Sequence, residues 1–299
     1  MRLFRILRFI LLILLLLCCK KKSTQPDDGL PHYWPRYTDC EPAWSADGKT
    51  IAYSHGGLDT TAGIYLIDVD GTNKRLLRGG AGTQSPDFSP DGNWMVFVYS
   101  AQIFKIKLNG DSLTQLTFEG RNFFPDWSPH GIKIAYEVTE PADSFGVYLM
   151  NMDGTSPHLV PGGYCGCFPD FSPDGKKIVC EIASYIPGND FVDHYFWIIS
   201  LEDANHIRLP LFRGDNRYPV FSPDGKKVAF SSAYSSAPVV YVMDSNGKNL
   251  KLLTPEGGAE PAWSPDGEYI AYTYVHPDYG RIFIMNADGS NKRQLTFGK

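Results

Sequence analysis

The chain has 299 residues, with 28 Lys and Arg against 33 Asp and Glu, a formal charge of −5 and 43% hydrophobic residues. Such a length and composition suit one large globular domain rather than a disordered or fibrous chain. The positive charges are spread over turns and form no basic stripe with interleaved aromatics, which excludes nucleic acid as an expected partner.

Residues 1–19 read as a lipoprotein-type signal peptide. Arg2, Arg5 and Arg8 make a basic start, and Phe9 to Leu17 is an apolar run too short to span a bilayer comfortably. The run ends in Leu16-Leu17-Cys18-Cys19, which resembles a bacterial lipoprotein cleavage box with Cys19 as the lipidated residue. Cys18 is the alternative acceptor. The competing reading is a short uncleaved signal-anchor, with the run extended from Leu3. Lys20-Lys21-Lys22 just after the cut disfavours ordinary secretion. Residues 20–37 then form a polar tether between lipid and globule.

From residue 38 onward the chain repeats one phrase: Pro, any residue, Trp or Phe, Ser, Pro, Asp, Gly. It runs from Pro42 to Gly48, Pro86 to Gly92, Pro125 to Gly131, Pro169 to Gly175, Pro219 to Gly225 and Pro261 to Gly267. Ala46 replaces the turn Pro in the first copy and His130 the turn Asp in the third; neither change is expected to break the turn. Each unit reads as four short strands. The first ends at the aromatic and Ser, and Pro-Asp-Gly turns the chain. A second apolar run follows, as in Ile51-Ala52-Tyr53 or Ile134-Ala135-Tyr136. The third runs from Ile64 to Asp68, Ile103 to Lys107, Val147 to Asn151, Phe196 to Ser200, Val240 to Asp244 and Ile282 to Asn286. An Asp-Gly or Asn-Gly hairpin signal follows in every unit except the fourth, which has Glu202-Asp203. The last strand ends near Leu77, Leu116, Leu159, Leu209, Leu253 and Leu295.

A sheet with two apolar faces must stack on copies of itself, and a closed ring does this without free ends. The predicted fold is therefore all-β: a six-bladed β-propeller with four antiparallel strands per blade, over residues 38–299. The units are in phase with the blades, with blade one from about residue 40 to 78 and blade six from about 259 to 297.

The six phrases and five Asp/Asn-Gly turns resemble the WD-type propeller repeat of the TolB-like family. The resemblance covers nearly all of the mature chain. It implies a binding propeller of the bacterial envelope that docks a protein, without a cofactor. TolB-like proteins carry an α/β domain before the propeller. Here only about fifteen residues separate leader from first blade, so that domain is expected to be absent.

No Gly-x-Ser-x-Gly elbow occurs, which argues against a serine hydrolase. Asp68-Val69-Asp70-Gly71-Thr72-Asn73 begins like a calcium loop, but its twelfth position is Gly79 and not Glu. His55, His194 and His276 fall on one end of the ring and are a weak alternative metal set, so no metal site is assigned. Cys167 and Cys180 flank one hairpin; a disulfide and a buried thiol at Cys180 are both open. The candidate binding site is the channel mouth, where the loops entering each first strand gather. Arg121, Phe124, Phe168, Arg217 and Tyr218 would give it an aromatic and cationic side, and Asp39, Glu41 and Glu260 an acidic side. Such a mouth suits a peptide or protein segment. The expected protein is a monomeric, non-enzymatic binding module, periplasmic or on the outer membrane. It would contact a cell-envelope protein or peptide, and the membrane through its N-terminal lipid. The rival is an envelope lyase or glycan hydrolase with its site in the same mouth.

Overall fold

The repeated turns set where the chain reverses. In the first, Ser45 Oγ donates to Asp47 Oδ1 at 2.6 Å and accepts from the Thr50 N–H at 3.0 Å. The Gly48 N–H closes the turn on the Ser45 carbonyl at 2.9 Å, and Gly48 sits at φ 69°, where a side chain is disfavoured. The third turn lacks the Asp. Ser128 Oγ still accepts from the Lys133 N–H at 3.0 Å, so His130 is tolerated.

A computed structural model describes residues 38–56, 61–164, 166–185, 192–210, 214–233, 237–276 and 278–297. The leader, the whole tether and both lipidation candidates, Cys18 and Cys19, lie outside the described residues. The first unit comprises β1 (Thr38–Trp44), β2 (Thr50–Gly56), β3 (Gly63–Asp68) and β4 (Arg75–Gly79). The second comprises β5 (Thr83–Phe88), β6 (Trp94–Tyr99), β7 (Gln102–Lys107) and β8 (Thr114–Gln115). The third has β9 (Arg121–Trp127), β10 (Lys133–Glu140), β11 (Gly146–Asn151) and β12 (His158–Tyr164). The fourth has β13 (Gly166–Phe171), β14 (Lys177–Tyr185), β15 (Val192–Ser200) and β16 (His206–Arg208). The fifth has β17 (Asp215–Phe221), β18 (Lys227–Ala233), β19 (Val239–Asp244) and β20 (Lys251–Leu252). The sixth has β21 (Ala259–Trp263), β22 (Tyr269–His276), β23 (Tyr279–Asn286) and β24 (Arg293–Gln294).

Strands pair in chain order within each unit, and β24 pairs with β23 rather than with the first unit. The all-β propeller is found, but the expectation of six separate four-stranded blades is corrected. Units two to five form four separate four-stranded sheets, whereas the first and sixth units share one eight-stranded sheet. The join is a parallel pairing of β1 with β23 at Thr38 and Gly280. A Cβ on Gly280 would stand 1.8 Å from Thr38 Oγ1, so the missing side chain is what lets these strands meet.

The apolar clusters lie between consecutive units. Ala43, Ile64 and Leu66 pack on Phe88, Met95 and Phe97, and Ile51 and Tyr53 pack on Ile282 and Leu295 to close the ring. The first strands β1, β5, β9, β13, β17 and β21 contact one another in turn around a central channel. What lines that channel is set by the residues of these strands.

Candidate functional site at the channel mouth

The residue before each repeat Pro has a left-handed backbone. Glu41 has φ 54°, Ser85 52°, Phe124 48°, Phe168 50°, Tyr218 53° and Glu260 52°. At each of them the ladder to the second strand shifts register. This is a β-bulge, which re-aims a side chain. Bulky residues resist positive φ at a cost of about 1–3 kcal/mol each, and such strain often marks a functional position. The bulges gather these side chains around the axis.

Three of them form one aromatic cluster. Ring centroids are 4.4 Å apart for Phe124 and Phe168, 4.2 Å for Phe168 and Tyr218, and 5.9 Å for Phe124 and Tyr218. All three rings are half-buried. On the other side Glu41 and Glu260 are locked together. Glu41 Oε2 accepts from the Ser85 N–H at 2.6 Å and from Ser54 Oγ at 2.8 Å. The Glu41 N–H donates to Glu260 Oε2 at 2.7 Å, and Thr273 Oγ1 donates to the same oxygen at 2.8 Å. The Tyr218 side chain also hydrogen-bonds Glu260, which joins the aromatic and acidic sides. Burial pushes both carboxyls above the usual range, and Glu41 pushes Glu260 further.

The structure thus brings Phe124, Phe168, Tyr218, Glu41 and Glu260 together. Arg217 stands beside them, its Nε 2.6 Å from Asp215 Oδ1. Arg121 is at the rim, 4.0 Å from Glu140 and over the Phe123 ring at 5.5 Å. Asp39 is elsewhere in role: only 2% exposed, it holds His55 at 2.6 Å and lies 3.9 Å from Arg281. It fastens the first unit to the sixth. Cys167 and Cys180 are free thiols. The bulge sets Cys167 opposite Glu181, while Cys180 fills an apolar cluster.

His55, His194 and His276 do not share a site. His55 rests on Asp39, His194 lies between Glu181 and Asp215, and His276 is 3.6 Å from Asp278. Among the described residues no group of three His, Cys, Asp or Glu is placed to hold a metal ion.

Two sets of carboxyls escaped the sequence reading. Asp87, Asp126 and Asp170 follow the repeat Pro in three consecutive units, where the others have Ala43, Val220 and Ala262. Each accepts at 2.8 Å from a backbone N–H of the next unit: Trp127, Phe171 and Phe221. Burial raises all three, and Asp170 and Asp87 raise Asp126 further. Glu137 and Glu181 stand where other second strands have Ser54, Val98, Ser231 and Thr273. Both are buried, each with an unpartnered Oε2. Burial, then the charge of Glu181, pushes Glu137 up to about 8. The available signal was a change of residue type at a fixed repeat position.

A ring of stacked antiparallel sheets whose bulged first strands line one mouth defines a β-propeller. The sequence matches the TolB beta propeller domain over residues 35–184 and 193–299, and the chain belongs to that family. An uncharacterized protein of Agrobacterium fabrum (strain C58) is 36% identical over 139 residues, 42% of this chain and 44% of that protein. The match therefore spans less than half of that curated relative. A protein assigned as TolB from Agrobacterium tumefaciens has a similar structure, with TM-score 0.71 at 21% identity, over 80% of this chain and 89% of the other. TolB from Acinetobacter baumannii gives TM-score 0.66 at 21% identity, over 89% of this chain and 64% of the other. At such identities the structural likeness establishes the fold.

Proposed function

We propose that this chain is an exported, lipid-anchored propeller that binds a protein or peptide segment in the bacterial cell envelope through its channel mouth. The observation that carries this reading is the cluster of Phe124, Phe168 and Tyr218, held half-exposed on left-handed backbone at one end of the channel. Aromatic rings beside an Arg, rimmed by polar groups, match the composition of protein-binding hot spots. Membership of the TolB propeller family supports an envelope setting and a protein partner. The lyase or glycan-hydrolase reading has less support, because the three mouth histidines rest on separate carboxylates.

The test is partner capture from the native envelope with the full-length protein and two variants. Phe168→Ala and Tyr218→Ala should each weaken capture by at least about tenfold, as for hot-spot aromatics. Undiminished capture by both variants at unchanged melting temperature would remove the mouth from the account. Acyl labelling tests the anchor separately: Cys19→Ala, or Cys18→Ala for the earlier cut, should abolish it. Labelling that survives both single changes would mean that neither is the acceptor.

A further inference from the structure

At the end of the ring away from the mouth, each unit closes with two adjacent hairpin turns. There the first residue of the second strand faces the last residue of the third. The pairs are Thr50 with Asp68, Trp94 with Lys107, Lys133 with Asn151, Lys177 with Ser200, Lys227 with Asp244, and Tyr269 with Asn286. In five units the third-strand residue is an acceptor. Thr50 Oγ1 donates to Asp68 at 3.3 Å and Lys133 Nζ to Asn151 at 2.9 Å. The second unit reverses this chemistry: it has a cation in place of the acceptor and an indole opposite.

Lys107 Nζ lies 5.4 Å from the Trp94 ring centroid and Lys105 Nζ 5.0 Å from it. Lys105 is buried, with its ammonium donating to the Met152 carbonyl at 2.9 Å. Lys107 is exposed and forms no ion pair among the described residues. The nearby carboxylates are engaged in their own turns. Asp91 accepts from Ser89 Oγ and from Asn93, and Asp111 accepts from Asn109 Nδ2.

A second departure falls at the same place. In the other five units the turn glycine is covered by a proline of the preceding unit's turn, at 3.4–3.7 Å from a would-be Cβ. Gly92 has nothing within 4 Å, because Ala46 stands where that proline would be. Gly92, Asn93, Trp94, Lys107, Leu108 and Asn109 line an open groove of about 540 Å³. Arg75 borders it from the first unit, donating to the Leu108 carbonyl at 3.1 Å.

The fold does not require these residues, since five sister units close without them. We propose that this groove binds a sugar ring that carries a carboxylate. The C–H face of the ring would lie against Trp94, the carboxylate would pair with Lys107, and a hydroxyl would donate to Asn93 Oδ1, since the Asn93 and Asn109 amide nitrogens and Asn109 Oδ1 already bond within their turns. A neutral sugar loses the ion pair, and a simple carboxylate loses the face. The groove is at the opposite end from the mouth, so the site stands or falls independently of the proposed function.

The experiment is calorimetric titration of the full-length protein with glucuronate, glucose and acetate. Saturable binding of glucuronate is expected, with glucose and acetate weaker by at least about tenfold. Lys107→Asp restores the residue type of the first and fifth units and should cost a similar factor. Trp94→Thr should do the same; if it also lowers the melting temperature, the exposed Lys107→Asp decides alone. Absence of saturable glucuronate binding would overturn the proposal. So would equal binding of glucose, or undiminished binding by Lys107→Asp.

Discussion

Carboxyls held in the channel wall give single residues a readable pH dependence. Asp126 is raised well above its ordinary value by burial and by Asp170 and Asp87. A raised acid is most favourable to folding below its unfolded pKa, and that contribution is lost as pH rises through the folded value. Asp126→Asn keeps an acceptor for the Phe171 N–H and removes the charge. It should leave stability near pH 4 unchanged and raise it near pH 8, where the parent carboxyl must be held protonated or charged in the fold. Urea unfolding at the two pH values measures this, and a variant less stable than the parent near pH 8 would contradict it. His194 is also raised, by Glu181 and Asp215 against the opposing effect of burial. Its contribution is present below about pH 6.5 and lost as pH rises through the higher folded value. In His194→Gln the fall in stability on that upward step should be reduced. A variant whose pH profile matches the parent would show that the histidine carries no such linkage. The mouth aromatics were legible because they precede a repeated Pro. Glu137 and Glu181 show only when the units are aligned, because nothing local distinguishes a buried Glu from an exposed one on an alternating strand.

Elements carry the bulges and the join of the first and sixth units. The bulge was half-legible: the phrase marks the Pro, but the positive φ before it comes from packing neighbouring first strands around the axis. The strand count and its phase followed from turn chemistry repeated six times. The eight-stranded sheet did not, because it hangs on Gly280, one glycine among 29. Gly280→Val should separate β1 from β23 and cost about 1–3 kcal/mol as an overpacking change. Amide exchange in Thr38–Cys40 should rise at the same time; unchanged exchange with unchanged stability would show that the parallel pairing holds without the glycine. Trp127 is buried between the second and third units, with Val96, Val98 and Ile134. Trp127→Ala should lose about 3–5 kcal/mol, read by denaturant unfolding, as a core truncation. A loss under about 1 kcal/mol would mean that this interface is not tightly packed.

The whole molecule separates two ends. One end holds the bulged first strands, the aromatic cluster and the paired Glu41 and Glu260. The other holds the hairpin turns, where Asp70 and Asp288 bind their own Thr72 and Ser290 at 2.6 Å. The sequence made this division visible, since turn residues and pre-proline residues alternate along every unit. It could not say which mouth residues would be spent on the fold; Asp39 is buried between His55 and Arg281 and is unavailable to a ligand. The most direct test places a photo-crosslinking side chain at Phe168 or at Asp288 in the full-length protein in intact cells. A specific protein adduct is expected from position 168 and none from position 288. The same adduct from position 288, with none from position 168, would put the binding face at the opposite end of the propeller.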